Sequence, residues 1–309
     1  MKLIPLHIFS NKTRFDFIGT RWYGFGVSIL FSLISFGVLF THGLNWGIDF
    51  TGGVLMELKT EQSADLASMR KALEGEGLGE VSLQNFGDSQ NVMIRIQSTG
   101  ENSEGAIVEK VKRLLSGAVS GKIDYRNIEF VGPTVGHELV KSGIMATVFA
   151  CVAIMLYVWF RFEWQFGVGT LLALAHDTIM VIGFYAISRF DFGLTAIASV
   201  LTIIGYSMND SVVIYDRIRE NMRRYKKMPM NELLNQSMNE TLARTVLTSS
   251  TTLLAALALA IFGGEVIKGF SWSLVFGIVV GTYSSIYISA PTLIYLKIRP
   301  ELEGEQGNG

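Results

Sequence analysis

The chain has 1 cysteine, 4 histidines and 5 prolines in 309 residues, and only 17% of its residues carry charge. The lone Cys151 excludes an internal disulfide and any cysteine-based zinc cluster. His7, His42, His137 and His176 lack the close spacing of a histidine metal site. Soluble domains carry roughly 25% charged residues, so the shortage argues against an ordinary water-soluble domain. A disordered chain is excluded as well, because such chains are rich in charge and poor in apolar residues. With 26 basic and 27 acidic residues the net charge is −1, which leaves no field for a polyanion and excludes nucleic acid as the main partner. No Gly-x-x-x-x-Gly-Lys-Ser/Thr string occurs, so nucleotide hydrolysis would belong to a partner.

What the chain does have is apolar sequence: 49% hydrophobic residues and a mean hydropathy of +0.36. A helix needs about 20 mostly apolar residues to cross a bilayer. Windows of that length give six spans, at about Trp22–Phe40, Gly143–Phe160, Gly167–Ile187, Leu194–Tyr215, Thr245–Phe262 and Phe270–Tyr295. The first is too long for a signal-peptide core, and Thr41-His42-Gly43 is a poor cleavage site, so a retained anchor is expected. Lys and Arg crowd the N-terminus, the stretch from Arg217 to Lys227, and Lys297 with Arg299, whereas the loops at Arg189–Gly193 and Gly263–Gly269 carry little positive charge. By the positive-inside tendency both termini are cytoplasmic. The expected organisation is a cytoplasmic N-terminus over 1–21, a first span over 22–42, and an extracytoplasmic, periplasmic domain over 43–138. Spans over 139–161, 166–188 and 193–215, a cytoplasmic basic loop over 216–241, spans over 242–263 and 269–296, and a tail over 297–309 follow.

Within the exported stretch the periodicity is that of a soluble domain. Val54–Leu58 reads as a strand, and Ser63 as the N-cap of a helix reaching Glu76, with Leu66, Met69 and Leu73 as its buried stripe. Val81–Phe86 and Val92–Ile96 read as a hairpin around Gly87-Asp88, Ile107–Leu115 as a second helix, and Ile123–Val131 as a last strand. The order β-α-β-β-α-β is that of a ferredoxin-like α+β domain, beside a polytopic α-helical membrane part. It holds no catalytic constellation, so a binding or structural role is expected of it.

Ionisable groups deep in a span cost roughly 2.5–3.5 kcal/mol each on insertion scales, and mark either ion pathways or paired structural contacts. His176 and Asp177 fall near the middle of the third span, Asp210 beside Asn209 in the fourth, and Arg244 at the start of the fifth. Since the fourth and fifth spans run in opposite directions, Asp210 and Arg244 fall at similar depth. They form either a switchable pair, in which movement of the arginine changes the proton affinity of the carboxylate, or a permanent bond that fixes helix packing. Thr245, Thr248, Ser249, Ser250, Thr251 and Thr252 can hold water beside Asp210 or bond a neighbouring helix. Gly277 and Gly281 permit close helix approach, and Gly205 relieves crowding in the same way. Most charges in Asp216-Arg217-Ile218-Arg219-Glu220 are expected among solvent or headgroups.

Several strings together resemble one family. These are Asn45-Trp46-Gly47-Ile48-Asp49-Phe50-Thr51-Gly52-Gly53, Leu83-Gln84-Asn85-Phe86-Gly87, Phe130-Val131-Gly132-Pro133-Thr134-Val135-Gly136 and Phe160-Arg161-Phe162-Glu163-Trp164. Ala173-Leu174-Ala175-His176-Asp177, Gly205-Tyr206-Ser207-Met208-Asn209-Asp210-Ser211 with Asp216-Arg217-Ile218-Arg219-Glu220, and Arg244-Thr245 with Thr248-Ser249 complete the pattern. Over nearly its whole length the chain is similar to the SecF family, the smaller membrane subunits of bacterial SecDF export complexes in the resistance-nodulation-division superfamily. The resemblance implies a non-enzymatic inner-membrane subunit with no soluble cofactor, paired with SecD and associated with the SecYEG channel, YajC, lipid and translocating preproteins. It implies use of a proton or sodium gradient to complete translocation after the SecA step. It also assigns Asp210 and Arg244 to the ion relay, with His176, Asp177, Asn209 and Thr248 secondary. Asp49, Gly52 and Gly53 on one side, and Gly132 and Pro133 on the other, read as junctions through which motion reaches the outer domain.

Three other readings compete with this one. An intramembrane aspartyl protease would place Gly-x-Gly before its aspartate, whereas Ser207-Met208-Asn209 precedes Asp210. A small-molecule exporter of the same superfamily usually carries two six-span halves on one chain. A passive scaffold is separable by replacing Asp210 with Asn, which cannot titrate.

Overall fold

The computed structural model describes residues 14–74, 76–79, 81–85, 87–96, 104–119, 121–264 and 267–298. His7, Phe86 and the tail from Arg299, all named above, lie outside the described residues, as do the side chains of Pro133 and Thr134. The chain divides into two compact units.

In the smaller unit, a short helix α2 (Ile48–Thr51) leads into strand β1 (Gly53–Thr60), helix α3 (Leu66–Leu73), the hairpin β2 (Val81–Asn85) and β3 (Asn91–Ile96), helix α4 (Glu104–Ala118) and strand β4 (Ile123–Val131). All pairings are antiparallel and the strand order is β2-β3-β1-β4, as the ferredoxin-like arrangement requires. Val54, Met56, Leu58, Val92, Ile94 and Ile96 of the sheet pack with Met69 and Leu73 of α3 and Ile107, Val111 and Leu115 of α4. The helix cap differs from expectation. Asp65, not Ser63, is the N-cap: its Oδ1 accepts from the Ala67 and Ser68 amides at 3.0 and 3.2 Å, and its Oδ2 accepts from Ser68 Oγ at 2.6 Å. The carboxylate satisfies two amides that a serine two residues earlier cannot reach. The helix also stops at Leu73 rather than Glu76, since Glu74 is extended. Asp88 closes the hairpin loop by accepting from the Gln90 and Asn91 amides at 2.9 and 3.0 Å.

The larger unit is built on helices long and apolar enough to cross a membrane, and there are six of them among the described residues. They are α1 (Arg21–His42), α5 (Pro133–Arg161), α6 (Trp164–Ser188), α7 (Leu194–Arg224), α8 (Met230–Phe262) and a last span made of α9 (Lys268–Ser284), a π-helical turn (Ser285–Ser289) and α10 (Ala290–Tyr295). Parts of α5 and α7 belong to the smaller unit. The windows placed all six spans.

The stretch over 216–241, expected to be a loop, is helical except at 225–229. The reason is visible in its side chains. Arg217 donates to Glu240 Oε2 and Glu220 Oε2, both at 2.6 Å, and Asn221 Nδ2 donates to Ser237 Oγ at 2.9 Å and Glu240 Oε2 at 2.8 Å. Leu233, Leu234 and Met238 are buried beneath them, so α7 and α8 continue as a packed pair where apolar windows end. Arg217 is therefore a structural partner rather than a solvated charge.

Small residues set the helix spacing. A Cβ on Gly277 would meet Ile203 Cδ1 at 2.3 Å and one on Gly281 would meet Ser207 Cβ at 3.0 Å, as their spacing in the last span suggested. Gly205 behaves differently: nothing lies within 4 Å of its Cβ position, so it relieves no crowding within this chain. One further close approach has no repeat in the sequence to announce it. At Gly183 a Cβ would meet Ser35 Oγ at 2.2 Å and the Ser35 Cα at 3.0 Å, which brings α1 against α6.

Candidate functional site

Helices α6, α7, α8 and the last span bring hydroxyls and carboxylates into an otherwise apolar interior. Asp177 of α6 is fully buried. Its Oδ2 accepts from Ser207 Oγ of α7 at 2.5 Å and from Ser284 Oγ of α9 at 2.8 Å, and His176 Nδ1 lies 3.0 Å from its Oδ1. One carboxylate thus joins three helices. Around it Ser285 Oγ bonds Ser211 Oγ at 3.2 Å and the Ser207 carbonyl at 3.3 Å, and the buried Tyr215 hydroxyl bonds Ser289. The π-helical turn carries Ser285 and Ser289, and such turns are frequent at functional positions because they re-aim side chains.

Asp210 of α7 is the opposite case. It is 2% exposed, yet its Oδ2 has no hydrogen-bond partner and no cation lies within ion-pair distance among the described residues. Ser249 and Arg244 are the α8 groups whose polarity reaches it, but the expected contact pair is not closed. Arg244 projects to the exposed side of α8. Its neighbour Thr245 faces inward, buried and with Oγ1 unpartnered. Thr248 turns its hydroxyl back to the Arg244 and Thr245 carbonyls at 3.0 Å each, and Asn209 is exposed, so neither joins Asp210. His176 Nε2 is a further buried atom without a partner. Of the relay residues read from sequence, then, His176 and Asp177 meet each other, whereas Asp210 is held apart from Arg244.

The junction residues lie in the smaller unit. Asp49 Oδ2 accepts from the Leu194 amide at 2.8 Å, so it caps the start of α7 rather than its own turn. Gly52 and Gly53 take φ of 70° and 129°, a conformation open to glycine. Gly132 accepts the first hydrogen bond of α5, from the Gly136 amide at 2.9 Å, and Pro133 opens that helix, where a missing N–H costs nothing. Gly136 itself lies against α2, since its Cβ would meet the Asp49 and Phe50 carbonyls at 3.3 Å. Sequence reasoning overlooked a cluster here: Arg95 of β3 forms an ion pair with Asp191 and donates to Asn45 Oδ1 at 2.9 Å, while Asn45 Nδ2 donates to Asp191 Oδ1 at 2.7 Å. Its members lie 50 to 146 residues apart, a separation that no local pattern reveals. The serines of the last span did carry a signal, because Ser284, Ser285 and Ser289 recur at helical spacing in an apolar run.

No group of three or more His, Cys, Asp or Glu side chains suited to a metal occurs among the described residues.

This architecture, six helices fit to cross a membrane with a buried carboxylate network and a small antiparallel α+β unit, is that of a polytopic membrane protein. The family model for the SecD/SecF protein export membrane protein, C-terminal part, matches residues 110–299, and the SecD/SecF GG motif matches residues 37–64. The chain is 50% identical over 293 residues to the protein translocase subunit SecF of Rickettsia bellii, covering 95% of this chain and 97% of that one. It is 51% identical to the corresponding subunit of Rickettsia rickettsii over 95% of each chain. The crystal structure of SecDF from Thermus thermophilus superposes with a TM-score of 0.84 at 37% identity, over 94% of this chain and 40% of that longer chain. SecDF in its super-membrane-facing form gives 0.68 at 38% identity, over 93% of this chain and 39% of that one. The chain belongs to the SecD/SecF family of protein-export membrane proteins, and matches SecF members over 95% of its length.

Proposed function

We propose that this chain is the ion-coupled SecF-type half of a protein-export accessory complex. With a SecD partner it uses an ion gradient to promote preprotein movement through SecYEG after the SecA step, and it carries no enzymatic centre or bound cofactor of its own. The observation that carries the reading is Asp210, a carboxylate inside a membrane helix with one oxygen unpartnered and no cation in contact. Such a group is expensive in a membrane unless a proton or cation visits it. Arg244, one face away on α8, is the charge whose approach would change what Asp210 binds. A second observation favours the SecD partnership. Thr195, Ala198, Thr202, Gly205 and Asn209 form an exposed stripe of small and polar residues along α7, a surface suited to another helix rather than to acyl chains. In this reading the termini and the basic end of α7 are cytoplasmic, the α+β unit lies outside, and YajC joins the same assembly.

Export of a secreted reporter in cells carrying Asp210→Asn, measured while the membrane gradient is varied, tests the assignment. SecD co-purification and membrane level are followed in parallel. Loss of the gradient-dependent increment with the complex intact is the expected result. Unchanged export and unchanged gradient dependence would leave the chain a scaffold.

A further inference from the structure

A second polar feature lies away from this network. Between the end of α5 and the last turns of α7 there is an open cavity of about 420 Å³ lined by Arg161, Asp216, Arg219, Glu220, Arg223 and Arg224. Both acids are already engaged: Asp216 by Arg161 at 3.1 Å, and Glu220 by Arg217, outside the lining, at 2.6 Å. Arg219, Arg223 and Arg224 have no carboxylate partner among the described residues. Arg219 is nevertheless held in place, since its Nη1 donates to the Arg161 carbonyl at 3.1 Å and its guanidinium sits 5.4 Å over the Phe162 ring. Four arginines against two acids leave the lining a net charge of +2, and its two acids are already engaged, so the cavity favours an anion. Planar N–H forks suit phosphate oxygens.

The level of the cavity identifies the anion. At ~1.5 Å per residue, the 31 residues of α7 extend about 46 Å, whereas the hydrocarbon core is about 30 Å thick. Its last turns therefore leave the hydrocarbon: Arg219, four residues past Tyr215, stands about 6 Å beyond its edge at headgroup depth, and Arg223 and Arg224 lie farther out, from where their long side chains can reach back. The neighbouring turn between α5 and α6 exposes Trp159, Phe160 and Trp164, with Phe160 97% exposed, the aromatic signature of the interface. We infer that this cavity binds the phosphate-bearing headgroup of an anionic glycerophospholipid, with Arg219 as the fixed fork and Arg223 and Arg224 as the adjustable ones. The site does not rest on the ion-relay reading, since none of its residues belongs to the Asp177 and Asp210 network.

The test is native mass spectrometry of the full-length chain, delipidated in neutral detergent and titrated with phosphatidylglycerol or phosphatidylcholine. Inorganic phosphate is titrated in a separate arm. Phosphatidylglycerol should bind preferentially, and the variant Arg223→Gln with Arg224→Gln should lose about fivefold in affinity for each arginine removed. These side chains are exposed and have no carboxylate partner, so the fold is expected to stand, which monodispersity in detergent checks. A matched variant, Lys226→Gln with Lys227→Gln, removes exposed charge just beyond the lining and should bind as the wild type does. Equal binding of the two lipids, an unaffected arginine variant, or equal loss in the lysine variant would overturn the site. Inorganic phosphate binding as tightly as the dispersed lipid would make it a site for soluble anions instead.

Discussion

Two aspartates in neighbouring helices show how surroundings divide roles. Asp177 accepts from two serines on two other helices and is held by His176, so its first duty is to join helices. In membranes an interhelical hydrogen bond contributes roughly 0.6 to 1.7 kcal/mol. Asp177→Ala removes two, and should cost about 1–3 kcal/mol, read as a lower unfolding midpoint in bicelles. A midpoint equal to wild type would show the serines to be satisfied elsewhere. Asp210, with its Oδ2 unpartnered, should tolerate Asn in the fold while failing in coupling. Outside the membrane, Asp65 is an aspartate whose pKa is lowered from 3.8, chiefly by the Ser68 hydroxyl and then by the Ser68 and Ala67 amides. Its folded-state value is depressed, so its stabilising effect is complete above the ordinary aspartate range and lost as pH falls through the lowered value. Asp65→Asn caps without titrating. Protection of α3 amides against hydrogen exchange should therefore fall less on acidification in that variant; identical pH profiles would count against the cap as the cause. Residue types in the membrane were legible from sequence, since a charge in an apolar run is conspicuous. Which of them pair was not, because pairing depends on helix rotation: Arg244 and Thr245 are adjacent in sequence, and only Thr245 turns inward.

At the scale of the element, periodicity located the helices, and side-chain chemistry moved their ends. Apolar windows stop where α7 and α8 leave the hydrocarbon, but Arg217, Asn221 and Glu240 continue the pairing with hydrogen bonds that hydropathy does not register. The hairpin and last strand of the α+β unit were legible because alternation and turn residues agree there. The cap of α3 was misplaced by two residues, since Ser63 and Asp65 are both good caps and only the chain direction chooses. Close helix contact was legible where two glycines repeat, as at Gly277 and Gly281, and hidden at the single Gly183. There the added Cβ collides with the Ser35 backbone as well as its side chain. Gly183→Ala should push α1 from α6 at a cost of about 1–3 kcal/mol, typical of overpacking. A disulfide probe engineered between α1 and α6 should form more slowly in that variant, and an unchanged rate would show that the helix shifts freely.

For the molecule as a whole, two units with separate cores predict two separable stabilities. Val54, Met56 and Leu58 are fully buried within the α+β unit, so Met56→Ala should destabilise it by about 2–5 kcal/mol. In the full-length chain, exchange should then quicken across residues 53–131 while the amides of α6 and α9 keep their rates. Equal acceleration in both would mean that the units unfold as one. The ferredoxin-like order was legible from sequence because each element signals its own type, and six spans were legible because lipid demands long apolar runs. The Arg95, Asp191 and Asn45 cluster was not, since it exists only once distant segments are folded together.

The π-helical turn at Ser285–Ser289 has a bearing on how the last span is phased. A turn of this kind holds one residue more than an α-helical turn needs, so the stretches on either side are set at independent rotations, like two gears keyed separately to one shaft. The upstream stretch is keyed to Asp177 through Ser284, and the downstream stretch to the core around Phe166 and Tyr215 through Ser289 and Leu293. Deleting the half-buried Ile286 would remove that extra residue, so the helix could run regular while the stretches on either side keep their present rotations. Ala290 and Leu293 should then stay in their buried seats, and the cost of the deletion should fall on the hydroxyls that the turn aims inward.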